Sequence, residues 1–175
     1  LIAFASALVG FIKGGLSMIN IATSMFFAEI SGSAVADVAA LGSILIPAMK
    51  KKGYPGAFAA AVTSSSASLA IIIPPSIPMV LYALVSNTSI GFLFLGGILP
   101  GLIMGMVLML MNTIISYKRG FGTEEAIPLR ELPALTVDAF PALLMPAILL
   151  YGIYGGVTTP TEAAAIAALY ALILA

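Results

Sequence analysis

The chain has 175 residues, of which 61% are hydrophobic and 8% charged, and its 7 Lys+Arg balance its 7 Asp+Glu. With a mean hydropathy of +1.17 this is the composition of an integral membrane chain. No net charge and no basic stripe excludes a nucleic-acid partner. The absence of Cys and His excludes disulfides and thiolate metal sites, and removes the commonest metal ligand and the usual general base near neutral pH. The sequence opens at Leu1 without a basic leader and stops at Ala175 inside an apolar run, so it reads as an internal fragment. A bacterial inner membrane, crossed several times, is the expected location.

Residues 1–15 read as the end of a preceding helix, apolar from Leu1 to Phe11 and punctuated by Lys13-Gly14-Gly15. Residues 16–54 follow as two short apolar runs, Leu16 to Ile30 and Ala34 to Met49, joined at Ser31-Gly32-Ser33. The first run is about 15 residues, roughly 22 Å as helix, whereas a hydrocarbon core of about 30 Å needs about 20 residues. Two half-length helices that meet at a Ser/Gly tip and end in Lys50-Lys51-Lys52 predict a re-entrant hairpin with both ends on the cytoplasmic side. Residues 55–89 form a further segment whose hydroxyl-rich stretch Thr63 to Ser68 runs into Ile73-Pro74-Pro75-Ser76. Two consecutive prolines remove two backbone donors, so the helix is expected to unwind there and resume after Ser76. Residues 90–117 read as an ordinary span ending at the basic Lys118-Arg119. Residues 118–140, charged and proline-containing, read as a cytoplasmic linker or surface-lying helix dividing two halves of a transporter. Residues 141–175 open the second half, with apolar segments from Ala142 to Tyr154 and from Ala163 onward.

Helices broken at bilayer depth leave backbone groups unsatisfied at several kcal/mol each, so breaks persist where protein or a solvated cavity supplies partners. Opposed helix ends at Ser31-Gly32-Ser33 would offer carbonyls, which suit Na⁺, and free N–H groups, which suit a carboxylate. Gly32 lets the backbone approach closely. The expected sodium ligands are Ser31, Gly32, Ser33, Ile73 and Pro75, mostly through backbone carbonyls. The expected anion site is Ser33, Pro74, Pro75 and Ser76. Asn20, Asp37, Ser66 and Ser68 are expected in support, with no organic cofactor. Each has a plainer reading: a Ser/Gly packing motif for the tip, a kink for the prolines, back-bonding for the hydroxyl run. Asp37 follows the tip by one turn and either orients it or neighbours the ion, or equally pairs with Lys13 or sits in a wet cavity. Thr159-Pro160-Thr161-Glu162 reads as a capping box with Pro at the first helical position.

Taken together, Gly14-Gly15-Leu16, Asn20, Ser24-Met25-Phe26-Phe27-Ala28, Ile30 to Asp37, Ile46-Pro47-Ala48-Met49, Gly53-Tyr54, Ile73 to Met79, Gly96 to Gly101 and Thr159 to Ala164 resemble the large membrane subunit, DctM-like, of tripartite ATP-independent periplasmic (TRAP) transporters. The resemblance covers essentially the whole sequence, and Glu29 departs from it, standing where a small residue is expected. It implies an all-α, inverted-repeat, elevator-type transporter, of which this would be the later part of the first repeat and the opening of the second. It further implies sodium-driven import of organic anions such as C4-dicarboxylates or sialic acid, a small membrane subunit, and a periplasmic substrate-binding protein. The second half of the site would lie beyond Ala175. The alternatives are a self-sufficient sodium/carboxylate symporter, an intramembrane enzyme using Glu29 and Asp37 as an acid/base pair, and a non-transporting membrane scaffold.

Overall fold

The computed structural model describes every residue except Ala126, Leu129 and Ala175. Among the described residues all regular structure is helical: α1 (Ile2–Val9), α2 (Gly15–Ser31), α3 (Ala34–Lys51), α4 (Gly56–Ala67) continued by a 3₁₀ turn (Ser68–Ile71), α5 (Ile77–Ser86), α6 (Ile90–Arg119), α7 (Leu132–Tyr154) and α8 (Pro160–Leu174). The central helix is α2, which packs against α1, α3, α4, the 3₁₀ turn, α6 and α7. Its N-terminal half is enclosed almost all round, with every residue from Ser17 to Ser24 buried. A helix enclosed on all faces lies inside the bundle, and its few polar side chains need partners there.

The two expected short helices exist and are joined by two residues. Gly32 caps α2 in the left-handed region at φ +58°, its N–H donating to the Ala28 carbonyl, which is the usual way a glycine ends a helix. Ser33 is extended and caps α3, accepting from the Ala36 N–H at 3.4 Å. Asp37 in the first turn and Lys50 and Lys51 in the last complement the α3 dipole. The segment from Ile72 to Ser76 lies outside any helix, with a cis Pro74–Pro75 bond, so α4 and α5 are two pieces of one interrupted run.

Both α6, 30 residues, and α7, 23 residues, are long and apolar enough to cross a membrane. Much of their apolar surface is exposed, as suits lipid. One face of α6 is smooth: a Cβ on Gly101 would fall 2.6 Å from Ile73 Cγ1, and one on Gly105 2.5 Å from Met25 Cε. The α6 backbone therefore lies directly against the interrupted segment and α2. Helix α7 starts at Leu132 and runs unbroken through Pro141 and Pro146, earlier than Ala142, where composition put the start of the apolar segment. Pro133 sits in the first turn, which asks for no N–H partner, and apolar helices tolerate interior prolines when neighbours supply contacts. The Tyr170 hydroxyl supplies one, donating to the Pro141 carbonyl at 2.8 Å. The capping box at the start of α8 forms: the Thr159 N–H donates to Glu162 Oε2 at 2.7 Å and the Glu162 N–H to Thr159 Oγ1 at 3.3 Å.

Candidate functional site at the hairpin tip and the broken helix

The tip between α2 and α3 lies directly on the break between α4 and α5. The Ile77 N–H donates to the Gly32 carbonyl at 3.2 Å, and a Cβ on residue 32 would stand 2.8 Å from the Pro75 carbonyl oxygen. Only glycine meets both the left-handed φ and this approach. The end of α2, the start of α3 and the start of α5 thus converge within a few ångströms.

Hydroxyls organise the two chains on either side. Ser31 donates to Asp37 and accepts from the Ser33 N–H at 3.2 Å, tying the end of α2 to the first turn of α3. Asp37 is fully buried and its second carboxylate oxygen has no hydrogen-bond partner among the described residues. Across the gap, buried Ser76 donates to the Ile71 carbonyl at 2.7 Å, satisfying an acceptor that Pro75 leaves without its helical donor. No described residue donates to the carbonyls of Ile73, Pro74 or Pro75. Of these carbonyls, that of Pro75 faces Gly32 at the tip, beside the hydroxyls of Ser31 and Ser76 on the same cavity.

A cavity of about 450 Å³ opens on this junction. Ser31, Gly32, Pro75 and Ser76 form one polar edge, Thr161 of α8 adds a hydroxyl, and the remaining walls are apolar, from α5, the start of α6, Leu149 and Ile153 of α7 and Pro160 and Ala164 of α8. Of the residues singled out in the sequence, Ser31, Gly32, Pro75 and Ser76 therefore share one cavity. Ser33 caps α3, Asp37 sits behind the tip, and Ile73 is buried among Ala28, Leu69 and Ala70. Pro74 is buried within the break.

Asn20 and Ser66 lie elsewhere, in a polar seam between α2 and its neighbours. Asn20 Nδ2 donates to Thr63 Oγ1 at 2.8 Å, the Ser24 and Ser66 hydroxyls share a bond of 2.9 Å, and Ser17 donates to Asn112 Oδ1 at 2.9 Å. Ser68 back-bonds to the Ser65 carbonyl at 2.6 Å, which is the local use that a helical serine run favours. Sequence reasoning did not connect Ser17 and Asn112 to this seam. The available signal was the spacing of Ser17, Asn20 and Ser24, which puts three polar side chains on one face of an otherwise apolar helix.

The family is identified by comparison with known proteins. A family model described as "Tripartite ATP-independent periplasmic transporter, DctM component" matches residues 1–175. The chain is 46% identical over 175 residues to the C4-dicarboxylate TRAP transporter large permease protein DctM of Pseudomonas aeruginosa, covering 100% of this chain and 41% of that protein. Over 171 residues it is 46% identical to the sialic acid TRAP transporter large permease protein SiaM of Vibrio cholerae, covering 98% and 40%. It is likewise 46% identical over 175 residues to the isethionate TRAP transporter permease protein DctMQ of Oleidesulfovibrio alaskensis, covering 99% and 28%. The chain thus spans well under half the length of these relatives. Each is a transporter permease, which sets aside the reading of Glu29 and Asp37 as an enzymatic acid/base pair. The chain belongs to the DctM, or large permease, component of the TRAP transporters.

Proposed function

We propose that this chain is part of the large permease subunit of a sodium-coupled importer of organic anions, and that Na⁺ binds where the Ser31-Gly32-Ser33 tip meets the Ile73 to Ser76 break. The observation that carries the reading is the junction itself: Gly32 packs on the Pro75 carbonyl, and along the break the carbonyls of Ile73, Pro74 and Pro75 accept from no described residue. Unpartnered carbonyls at a helix break are favourable partners for a cation, while the N-termini of α3 and α5 face the same junction and favour an anion. Ser33, Pro74, Pro75 and Ser76 border the anion, and Asp37 orients the tip through Ser31.

In this reading α2 and α3 form a re-entrant hairpin, and the bundle α2–α6 moves as a unit past a scaffold that includes α1, α7 and α8. Sodium binding ties tip to break and so completes the anion site beside them. Substrate affinity then rises with sodium, and by reciprocity sodium affinity rises with substrate. The relatives are named for C4-dicarboxylate, sialic acid and isethionate, all organic anions, which supports that substrate class here. A small membrane subunit, a periplasmic binding protein and an inner-membrane location complete the assembly. The second half of the anion site comes from sequence outside this chain.

The test is uptake of labelled organic anions into proteoliposomes holding the full-length permease and its membrane partner, with and without an inward Na⁺ gradient and the cognate binding protein. Uptake that requires both is expected. Uptake that requires sodium and ignores the binding protein would replace this reading with a self-sufficient symporter.

A further inference from the structure

At the end of the molecule opposite the tip, two connectors meet. The first is the corner between α1 and α2, residues 10–14, and the second is the stretch that leaves α6, residues 120–124. The Gly14 N–H donates to the Gly122 carbonyl at 3.0 Å, and the Glu124 N–H donates to the Gly10 carbonyl at 2.9 Å. Residues far apart in sequence thus exchange two backbone hydrogen bonds, one in each direction. The approach is tight: a Cβ on Gly15 would stand 2.5 Å from the Glu124 nitrogen. Gly14 and Gly120 both have left-handed φ, +90° and +70°, where other residues are strained.

The second connector is also held from the other side. The Phe121 ring packs between Tyr54 and Phe58, with centroids 4.4 and 5.2 Å away, and Lys52 Nζ pairs with Glu124 Oε2 at 2.9 Å. This fixes the connector to the α3–α4 turn. Beyond it, α7 packs on α1, α2 and α8. Within this chain the α2–α6 bundle joins the flanking helices through the α1–α2 corner and the stretch leaving α6, and among the described residues these two are bonded to each other.

We infer that the two connectors form one pivot, which stays joined while the α2–α6 bundle moves relative to α1 and α7. The inference rests on the elevator reading above and adds where the motion is centred. Two separate flexible linkers would let the bundle tilt about either one. Two linkers joined by paired backbone bonds, beside glycines that tolerate large φ changes, restrict it to a common axis, as hinge closure about a few element-terminal residues does.

The test uses the full-length permease with its membrane partner in proteoliposomes, without other accessible cysteines. Lys13 is exposed, a Cβ on Gly122 meets open space, and Gly14 bonds Gly122, so Lys13→Cys with Gly122→Cys is the pair to oxidise, with disulfide formation verified by loss of free thiol. A joined pivot predicts that the oxidised protein keeps most of its uptake. Glu124→Pro, which removes the donor to Gly10, is expected to slow uptake about fivefold or more. Gly15→Ala, which drives the connectors apart, acts in the same direction. In both variants half-saturation by Na⁺ stays within about twofold of native, because binding at the distant tip is intact. Glu124→Ala removes only the ion pair and serves as the control. Loss of uptake on oxidation that is restored by reductant would overturn the inference, since the connectors would then have to separate. So would native uptake in Glu124→Pro. Should a variant fail to fold, seen as loss of a cooperative melt, the disulfide arm decides alone. Absence of sodium-driven uptake in the unaltered protein would instead count against the transport reading.

Discussion

At the hairpin tip the polar groups are backbone carbonyls and short hydroxyls crowded against an unwound segment, with several acceptors lacking donors. Farther back on the same helix, Ser17, Asn20 and Ser24 face Asn112, Thr63 and Ser66 in side-chain pairs that bind helix to helix. Both regions put polar atoms inside an apolar chain, yet one joins helices side chain to side chain and the other leaves acceptors without donors. Hydrogen bonds between membrane helices contribute only about 0.6 kcal/mol each on average. The seam therefore acts through number and placement, whereas the tip depends on a few irreplaceable backbone positions.

Substitution at the tip should have the largest effect. Gly32→Ala combines a left-handed residue, at about 1–2 kcal/mol, with a Cβ 2.8 Å from the Pro75 oxygen. It should part tip from break and reduce sodium-driven uptake about tenfold or more in protein that still melts cooperatively. Native uptake in this variant would erase the distinction between the two regions.

Ser76→Ala comes next. It leaves the Ile71 carbonyl without its donor in a part-buried hydrogen bond, a loss of about 1 kcal/mol. Uptake titrated against Na⁺ should show several-fold weaker half-saturation, because the break would lose its fixed shape. At the seam, Asn20→Leu removes the bond to Thr63 and should destabilise the fold by about 1 kcal/mol. A lower melting temperature with an unchanged sodium titration is the expected pair of results.

Smallest of all is Lys52→Ala, which removes an exposed ion pair whose lysine is held above its ordinary pKa by Glu124. A raised lysine pKa stabilises the fold below the unfolded-state value and ceases to do so as pH rises through the folded-state value. The small difference in melting temperature should therefore vanish in strongly alkaline buffer, and also in high salt.

Much of this was legible in residue order. Ser31-Gly32-Ser33 and Pro74-Pro75 marked the turn and the break because glycine, serine and proline act on the backbone locally. The capping box at Thr159 was readable for the same reason. What the sequence could not supply was the meeting of Gly32 with Pro75, or of Gly14 with Gly122, since nothing local encodes which glycine faces which carbonyl. Helix α7 begins at Leu132, inside the charged, proline-containing stretch that reads as a linker or surface-lying helix, because packing carries the helix on through Pro141. Ser66 and Ser68 illustrate the same limit. Both sit in one hydroxyl run, yet one pairs across to Ser24 and the other bonds its own turn.

The central claim is that sodium joins the tip to the break, and the most direct measurement is thermal unfolding of the purified full-length permease across a Na⁺ titration with K⁺ as control. A ligand that binds only the folded state raises its stability in proportion to the logarithm of concentration above Kd. The account predicts a sodium-specific rise in Tm for the native protein, an equal increment for Asn20→Leu from its lower starting point, and little or none for Gly32→Ala. An undiminished sodium shift in Gly32→Ala would place the ion elsewhere and contradict the account.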